Sequence, residues 1–249
     1  MYKPGKFNFR ASYAAGFRTP TLSELYATDI AKKNDRLTIG NLDLKPEKNN
    51  YFSLSAEYVH ERFSVSVNAF YNNIRDMIDY NTIATGDKAM EQYGHKEVRQ
   101  RDNIAEAKVH GINVSANAYL GAGFNLSGGY THLNTQDVEL EQPIDKSIKN
   151  AYNINAQWAH SWKIYRLNIN LNGRINSKRF SKSYGYAPEY QLWDLNTRHS
   201  FNLKSVIIEP GFGMENLFDY MDDRPYNSNY ATLTPGRSFY ISLSLKFKS

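Results

Sequence analysis

Between residues 7 and 17, Phe7, Phe9, Ala11, Tyr13, Ala15 and Phe17 fall on one side of a period of two, and Asn8, Arg10, Ser12, Ala14 and Gly16 fall on the other. That period belongs to a β-strand with two unlike faces and fits a helix poorly. The pattern returns at Phe52 to Tyr58, Phe63 to Tyr71, Ile112 to Leu120, Phe124 to Tyr130, Tyr152 to Trp158, Tyr165 to Leu171 and Phe239 to Phe247. Two weaker segments, near 190–203 and 205–217, bring the total to about ten strands.

The connections alternate in length. His60 to Arg62, Gly121 to Gly123, roughly Ala159 to Trp162 and a residue or two near Lys204 read as hairpin turns. Residues 18–49, 81–103, 134–149, 174–189 and 218–236 read as long polar loops. A soluble sandwich has no reason to keep every short turn at one end, whereas a bacterial outer-membrane barrel has short periplasmic turns and longer extracellular loops. Strand runs of about 9 to 11 residues also suit a tilted crossing of the hydrocarbon layer. The fold class expected is therefore all-β, an antiparallel transmembrane barrel portion, with a soluble all-β binding module and a passive pore as alternatives. Val65, Val67, Val114, Ala116, Leu167, Ile169, Ile241 and Leu243 are expected to face lipid; Ser64, Ser66, Asn113, Asn168, Asn170 and Ser242 are expected to face a wet lumen.

Composition agrees. A mean hydropathy of -0.62 excludes a membrane-spanning helix without excluding a barrel, whose alternation dilutes the apolar signal. The 19 Tyr, 13 Phe and 3 Trp suit an interface where one end of a ring is apolar and the other wet. Cysteine is absent, which removes disulfides and thiolate metal sites. A net charge of +5, spread along the chain, gives no nucleic-acid stripe.

Two stretches break the alternation. In GFRTPTLSELY the first strand ends at Thr19, because Pro20 has no N–H for the ladder. Thr21 to Glu24 then forms a T-x-x-E capping box, and Leu22, Leu25 and Tyr26 follow helical spacing, so one or two helical turns with an apolar side are expected. The second stretch, GNLDLKPE from Gly40 to Glu47, sets Leu42 and Leu44 before Lys45, which Pro46 holds extended as the next strand begins. The two mark both roots of one long loop.

Phe17, Arg18, Pro20, Leu22, Glu24, Leu25 and Tyr26 resemble the F-R-x-P-x-L-x-E-L-Y segment of the TonB-dependent receptors of the Gram-negative outer membrane, and Asn41, Leu44, Lys45, Pro46 and Glu47 resemble their N-x-x-L-K-P-E segment. Asn216, Leu217, Phe218 and Asp219 are similar to the family's N-L-F-D turn, and Pro235, Gly236 and Arg237 to the P-G-R that opens its final strand. Four motifs in family order imply that residues 1–249 form the C-terminal portion of such a barrel, with plug domain and N-terminal strands absent. The resemblance further implies an outer-membrane receptor for a scarce nutrient, a ferric siderophore or cobalamin ahead of an oligosaccharide. Its partners would be outer-membrane lipid, a small chelate or nutrient ligand, and the TonB system only through the absent N-terminal regions. Heme is disfavoured, since relatives that bind it often carry a histidine between the first two motifs and Ala27 to Gly40 has none.

No hydrolase, P-loop, zincin or dinucleotide motif occurs, so no enzyme, cofactor or nucleic-acid partner is expected. The six His residues are scattered over turns, loops and strand ends. Lys178, Arg179, Lys182, Tyr184 and Tyr186 form a basic, aromatic loop suited to an anionic chelate, because Arg and Lys pair with oxyanions while Tyr stacks. Loop solubility accounts for the same residues. The acidic run Asp137 to Glu141 and the pair Asp222-Asp223 offer oxygens to a hard cation, with a solvated loop as the plainer reading.

Overall fold

The computed structural model describes residues 2, 5–181, 185–221 and 235–248. Strand β1 (Phe7–Arg18) leads through α1 (Leu22–Tyr26), β2 (Thr28–Ala31) and β3 (Arg36–Ile39) to β4 (Glu47–Val59). Two long strands, β5 (Phe63–Thr85) and β6 (Glu97–Gly121), follow with α2 (Gly86–Tyr93) between them, and then β7 (Phe124–Asp137), β8 (Asn150–Trp162) and β9 (Tyr165–Asn176). A short hairpin of β10 (Arg179–Ser181) and β11 (Gly185–Ala187) precedes β12 (Tyr190–Asn202), β13 (Val206–Glu215) and β14 (Ser238–Phe247). The main sheet runs β1-β4-β5-β6-β7-β8-β9-β12-β13-β14, each strand beside its neighbour in the chain.

Register turns the alternation of each strand into two continuous surfaces. Phe63, Ala118, Leu126, Ala156, Leu171, Leu195, Met214 and Phe239 are successive cross-strand partners, an apolar row around the wall. One step along lies a polar row: Ser64, Asn117, Ser127, Asn155, Asn172 and Asp194. Asn155 Nδ2 donates to Asn170 at 2.6 Å and to Asn172 at 2.7 Å, so the polar face is cross-linked. On the apolar face Ile241 and Phe247 are 78% and 81% exposed. Among the described residues the only buried apolar side chains are Leu37, Ile78, Ala89, Val98, Ala107 and Ala187, far too few to sustain a soluble domain of this length. A wall with one bare apolar face and one polar face is built for lipid outside and water inside.

The turns near 60–62, at Ala122-Gly123, at Lys163-Ile164 and near 203–205 lie at one end of the sheet, and the long connections at the other. Ala122 and Gly123 both have positive φ, 49° and 87°, as a two-residue primed turn demands. The third turn is displaced from the expected 159–162. Strand β8 runs on to Trp162, which pairs with Tyr165, because His160 and Trp162 continue the outward ring belt that Trp158 starts.

The expected loop over 81–103 is instead mostly strand. β5 and β6 continue as a two-stranded ribbon well past the wall, and α2 closes its tip. Register shifts near Ile74, Met77 and Thr82, with Asp76 at φ 56°, mark bulges that break the period of two. The hairpin of β2 and β3 adds to this ribbon, β3 running parallel to β6. Here the only hydrophobic core cluster of the described residues forms, from Leu37, Ala89 and Val98 with Ile39, Ala84 and Tyr93 packed around them. The first two long loops thus fold as one extracellular cap.

Among the described residues, β1 pairs along its length only with β4 and β14 only with β13, so the sheet is an open wall.

Candidate functional site at the roots of the extracellular loops

Arg18 ends β1, Glu24 lies in α1 and Glu47 begins β4, and the three side chains meet. Arg18 Nε and Nη2 donate to the two oxygens of Glu47 at 2.8 and 2.6 Å, a bidentate fork. Its Nη1 donates to both oxygens of Glu24, at 3.1 and 2.9 Å. Glu24 also completes the capping box: it accepts from the Thr21 backbone N–H at 2.8 Å, while the Glu24 N–H donates to Thr21 Oγ1 at 3.2 Å. Arg18, with Thr21, holds the Glu24 carboxyl well below the ordinary range, at about 2. Glu47 Oε1 accepts from the Ile78 N–H at 2.9 Å, which brings in the base of the ribbon. The first two motifs are therefore one clasp closed by a guanidinium.

Asn41 and its neighbours finish the root. The N–H groups of Gly40 and Asn41 donate to the carbonyls of Ala27 and Glu24 at 2.8 and 3.0 Å. A Cβ at Gly40 would lie 2.4 Å from the Leu25 carbonyl oxygen, so only glycine fits this crossing. Lys45 N–H donates to Asn103 Oδ1 at 2.7 Å, and Asn103 Nδ2 returns bonds to the carbonyls of Lys45 and Asp76. Sequence reasoning missed Asn103 because nothing local marks a partner 58 residues away. The expected apolar side of α1 does not pack: Leu22 and Tyr26, like Phe17, are exposed.

At the far end of the wall the other two motifs also meet. Asn216 is buried, with φ 52°. Its Nδ2 donates to the carbonyls of Tyr220 and Pro235 at 2.7 and 3.1 Å, and its Oδ1 accepts from the Tyr220 N–H at 2.8 Å. Asp219 Oδ1 accepts from the Arg237 N–H at 2.7 Å, next to Gly236. Leu217 N–H joins the Trp193 carbonyl, and the Phe218 ring meets that of Trp193 edge-on. Arg237 itself precedes the paired register of β14, which starts at Ser238, so its parity does not set it in the lipid face. Asn216→Ala removes the three hydrogen bonds that its side chain makes to the main chain of Tyr220 and Pro235 and is expected to cost about 2 kcal/mol. A denaturant titration of the folded receptor checks this, and an unchanged midpoint would remove the role.

Of the basic, aromatic loop, Arg179 lies in β10 and Tyr186 in β11, where Tyr186 packs edge-on against Phe180 and stays exposed. Lys178 sits just before β10; Lys182 and Tyr184 lie outside the described residues, as does Asp222-Asp223. In the acidic run, burial together with Asp137, Asp102 and Asp79 pushes the Glu139 carboxyl up. Among the described residues no group of three or more His, Asp or Glu is disposed to hold a metal ion.

An antiparallel wall, apolar outside and polar inside, with turns at one end and clasped loops at the other, has the build of an outer-membrane β-barrel wall. The family model for the TonB dependent receptor-like β-barrel matches residues 1–217, and the chain belongs to that family, whose members are outer-membrane transporters and not enzymes. Among solved structures it is similar to the ferric enterobactin receptor PfeA of Pseudomonas aeruginosa, at 20% identity and a TM-score of 0.73 over 98% of this chain and 38% of that one. BauA, the ferric preacinetobactin receptor of Acinetobacter baumannii, matches at 16% identity and a TM-score of 0.68 over 97% of this chain and 34% of that one. The copper transporter OprC matches at 13% identity and a TM-score of 0.67 over 95% of this chain and 37% of that one. At these identities the likeness is one of fold, and the chain spans well under half of each neighbour.

Proposed function

We propose that residues 1–249 form the C-terminal ten-strand portion of the barrel of a TonB-dependent receptor that takes up a ferric siderophore. The observation that carries this reading is the clasp: Arg18 binds Glu24 and Glu47 at once, anchoring both roots of a loop whose tip joins the ribbon of β5 and β6. A passive pore has no need of a folded, anchored cap, whereas a receptor that must hold a scarce ligand above its lumen does. The siderophore class is supported by neighbours that are receptors for ferric enterobactin and ferric preacinetobactin; OprC, a copper transporter, marks how far cargo varies on one wall.

The open edges of β1 and β14 support the portion reading, since unpaired backbone groups in hydrocarbon cost several kcal/mol each. Upstream strands of the same receptor would pair with both edges, and its N-terminal regions would meet the TonB system. Lys178, Arg179, Lys182, Tyr184 and Tyr186 would contact the chelate from the loop between β9 and β12. Growth after deletion of the full-length receptor, on defined ferric siderophores, cobalamin and glycans, tests the cargo. A loss confined to one or a few ferric siderophores is expected; normal growth on every siderophore with a loss on cobalamin or a glycan would overturn it.

A further inference from the structure

On the outward face of the wall a run of rings follows the turn end of β8, β9, β12 and β13. Trp158 stacks on His160 at 5.9 Å, His160 meets Trp162 edge-on at 4.4 Å, and Trp162 stacks on Tyr165 at 5.5 Å. Tyr165 stacks on His199 at 6.0 Å, its hydroxyl sharing a 2.7 Å hydrogen bond with His199 Nδ1, and His199 meets Phe212 edge-on. Register sets the two histidines on either side of Leu167. An interfacial belt ordinarily uses Trp and Tyr, whereas imidazoles bring ring nitrogens that take a proton. Among the described residues neither nitrogen of His160 nor the Trp162 Nε1–H has a protein hydrogen-bond partner, and both side chains are exposed.

The charge of this patch has one sign. Lys163 and Lys204, both exposed, occupy the two turns, which the bond from the Asn202 N–H to the Ile164 carbonyl at 2.7 Å sets side by side. No Asp or Glu stands at an outward position of β7, β8, β9, β12 or β13. Lys163, Lys204 and Tyr165 are the titratable groups beside the histidines on this face; Arg166, Arg198 and the Glu209–Lys246 pair have the lumen parity, on the other side of the sheet. Histidine changes charge between about pH 5 and 8, so protonation of the imidazoles adds to the charge of the lysines.

Toward the middle of the wall the same face holds a groove of about 490 Å³. Ala156, small between Leu126 and Leu171, gives it depth, and Phe124 and Trp158 bound it on the side of the rings. From Ala156 to His160 is roughly 13 Å along the strand, or about 10 Å of depth at the tilt of a barrel strand. In a hydrocarbon core about 30 Å thick the groove therefore lies in the half next to the turns, the periplasmic half. That depth suits an acyl chain of the periplasmic leaflet and not one of the outer leaflet.

We propose that this face binds an anionic phospholipid of the periplasmic leaflet, with its phosphate at His160, His199 and the lysines of the two turns and one acyl chain in the groove over Ala156. The imidazoles and lysines fix the headgroup and the groove fixes the chain, whereas unselective lipid contact requires neither. The site rests on the lipid-facing reading of the wall and is independent of the cargo.

The test uses the full-length receptor in non-ionic detergent, with bound lipid counted by native mass spectrometry. Phosphatidylglycerol, phosphatidylcholine and lipid A are titrated separately. At pH 6 the wild type is expected to bind phosphatidylglycerol about tenfold more tightly than phosphatidylcholine, and that preference should shrink about threefold by pH 8. His160→Gln with His199→Gln should weaken phosphatidylglycerol about fivefold at pH 6, abolish the pH dependence and leave phosphatidylcholine unchanged. Ala156→Leu, which fills the groove, should weaken both phospholipids alike, because it acts on the chain and not on the charge. Heat-modifiable migration shows that each variant is folded. If the double-histidine variant is not, Lys163→Gln with Lys204→Gln and the wild-type pH profile decide: the preference must fall in the first and with rising pH in the second. Equal binding of the two phospholipids, a pH-independent preference, a folded double-histidine variant that keeps the preference, Ala156→Leu binding as wild type does, or tighter retention of lipid A overturns the proposal. Equal retention of both phospholipids would leave the two-faced wall intact, whereas retention of no lipid at all would tell against that wall as well.

Discussion

Leu171→Arg is expected to destabilise the receptor by about 2–4 kcal/mol, while Asn170→Arg, one residue earlier, costs little. Leu171 stands in the apolar row between Ala156 and Leu195, midway along β9, and nothing in the wall covers it but lipid. Asn170 stands between Gln157 and Asn196 on the polar face, where Asn155 already bonds to it and an arginine keeps its water. The penalty is set by depth as well as by face. Leu167 lies between His160 and His199, close to the Lys163-Ile164 turn and level with the rings of Trp162 and Tyr165. That belt marks the interface, where a long arginine reaches headgroups, so Leu167→Arg falls to about 0–1 kcal/mol and Ile169→Arg lies between. Equilibrium unfolding from lipid vesicles checks the series. Equal losses at Leu171 and Asn170 would remove the two-faced wall, and a flat profile from 167 to 171 would remove the assignment of depth.

The wall was legible because each strand meets the same contrast, lipid on one side and water on the other, and that contrast is written at a period of two. The capping box was legible because Thr21 and Glu24 are three residues apart, and the bonds form as the spacing requires. The cap was not. Past Ile74 both faces of the ribbon are wet or covered by α2, and the bulge at Asp76 shifts the phase, so Asn81 to Thr85 reads as loop although it is strand. The parallel pairing of residues 36–39 with 97–100 joins segments with no local signature of each other. The four motifs showed which residues belong together without showing why; the reason is that Arg18 and Asn216 each satisfy partners on other elements. Lumen and lipid phases follow from a pattern, but cross-element hydrogen bonds follow only from the closed fold.

Arg18→Ala is expected to open the cap while leaving the wall folded. The substitution removes four hydrogen bonds and leaves Glu24 and Glu47 facing one another with side chains only 14% and 15% exposed. Removing one partner of a well-buried ion pair costs about 3–5 kcal/mol, but Arg18 is 43% exposed, so solvent screening brings the expected loss to about 2 kcal/mol. Arg18→Lys keeps the charge, loses the fork and falls between. The loss is local, because β1 and β4 keep eleven paired positions below the clasp, from Phe7↔Tyr58 to Phe17↔Lys48. Hydrogen exchange, corrected for intrinsic rates, should rise over residues 21–46 while protection in the strands is kept, and heat-modifiable migration should persist. Acid gives the same result by another route. The native pKa of Glu24, about 2, is depressed below its ordinary value of 4.5, so its contribution is fully present above about pH 5 and is lost as pH falls through 4.5 toward 2. In wild type, protection of residues 21–27 should hold from pH 7 to about 5 and then decline; in Arg18→Ala it should start low and change little over that range, because the group that depressed the pKa is gone. A wild-type profile flat down to pH 3, or a variant declining in parallel with it, would show that the guanidinium does not hold the loop roots together.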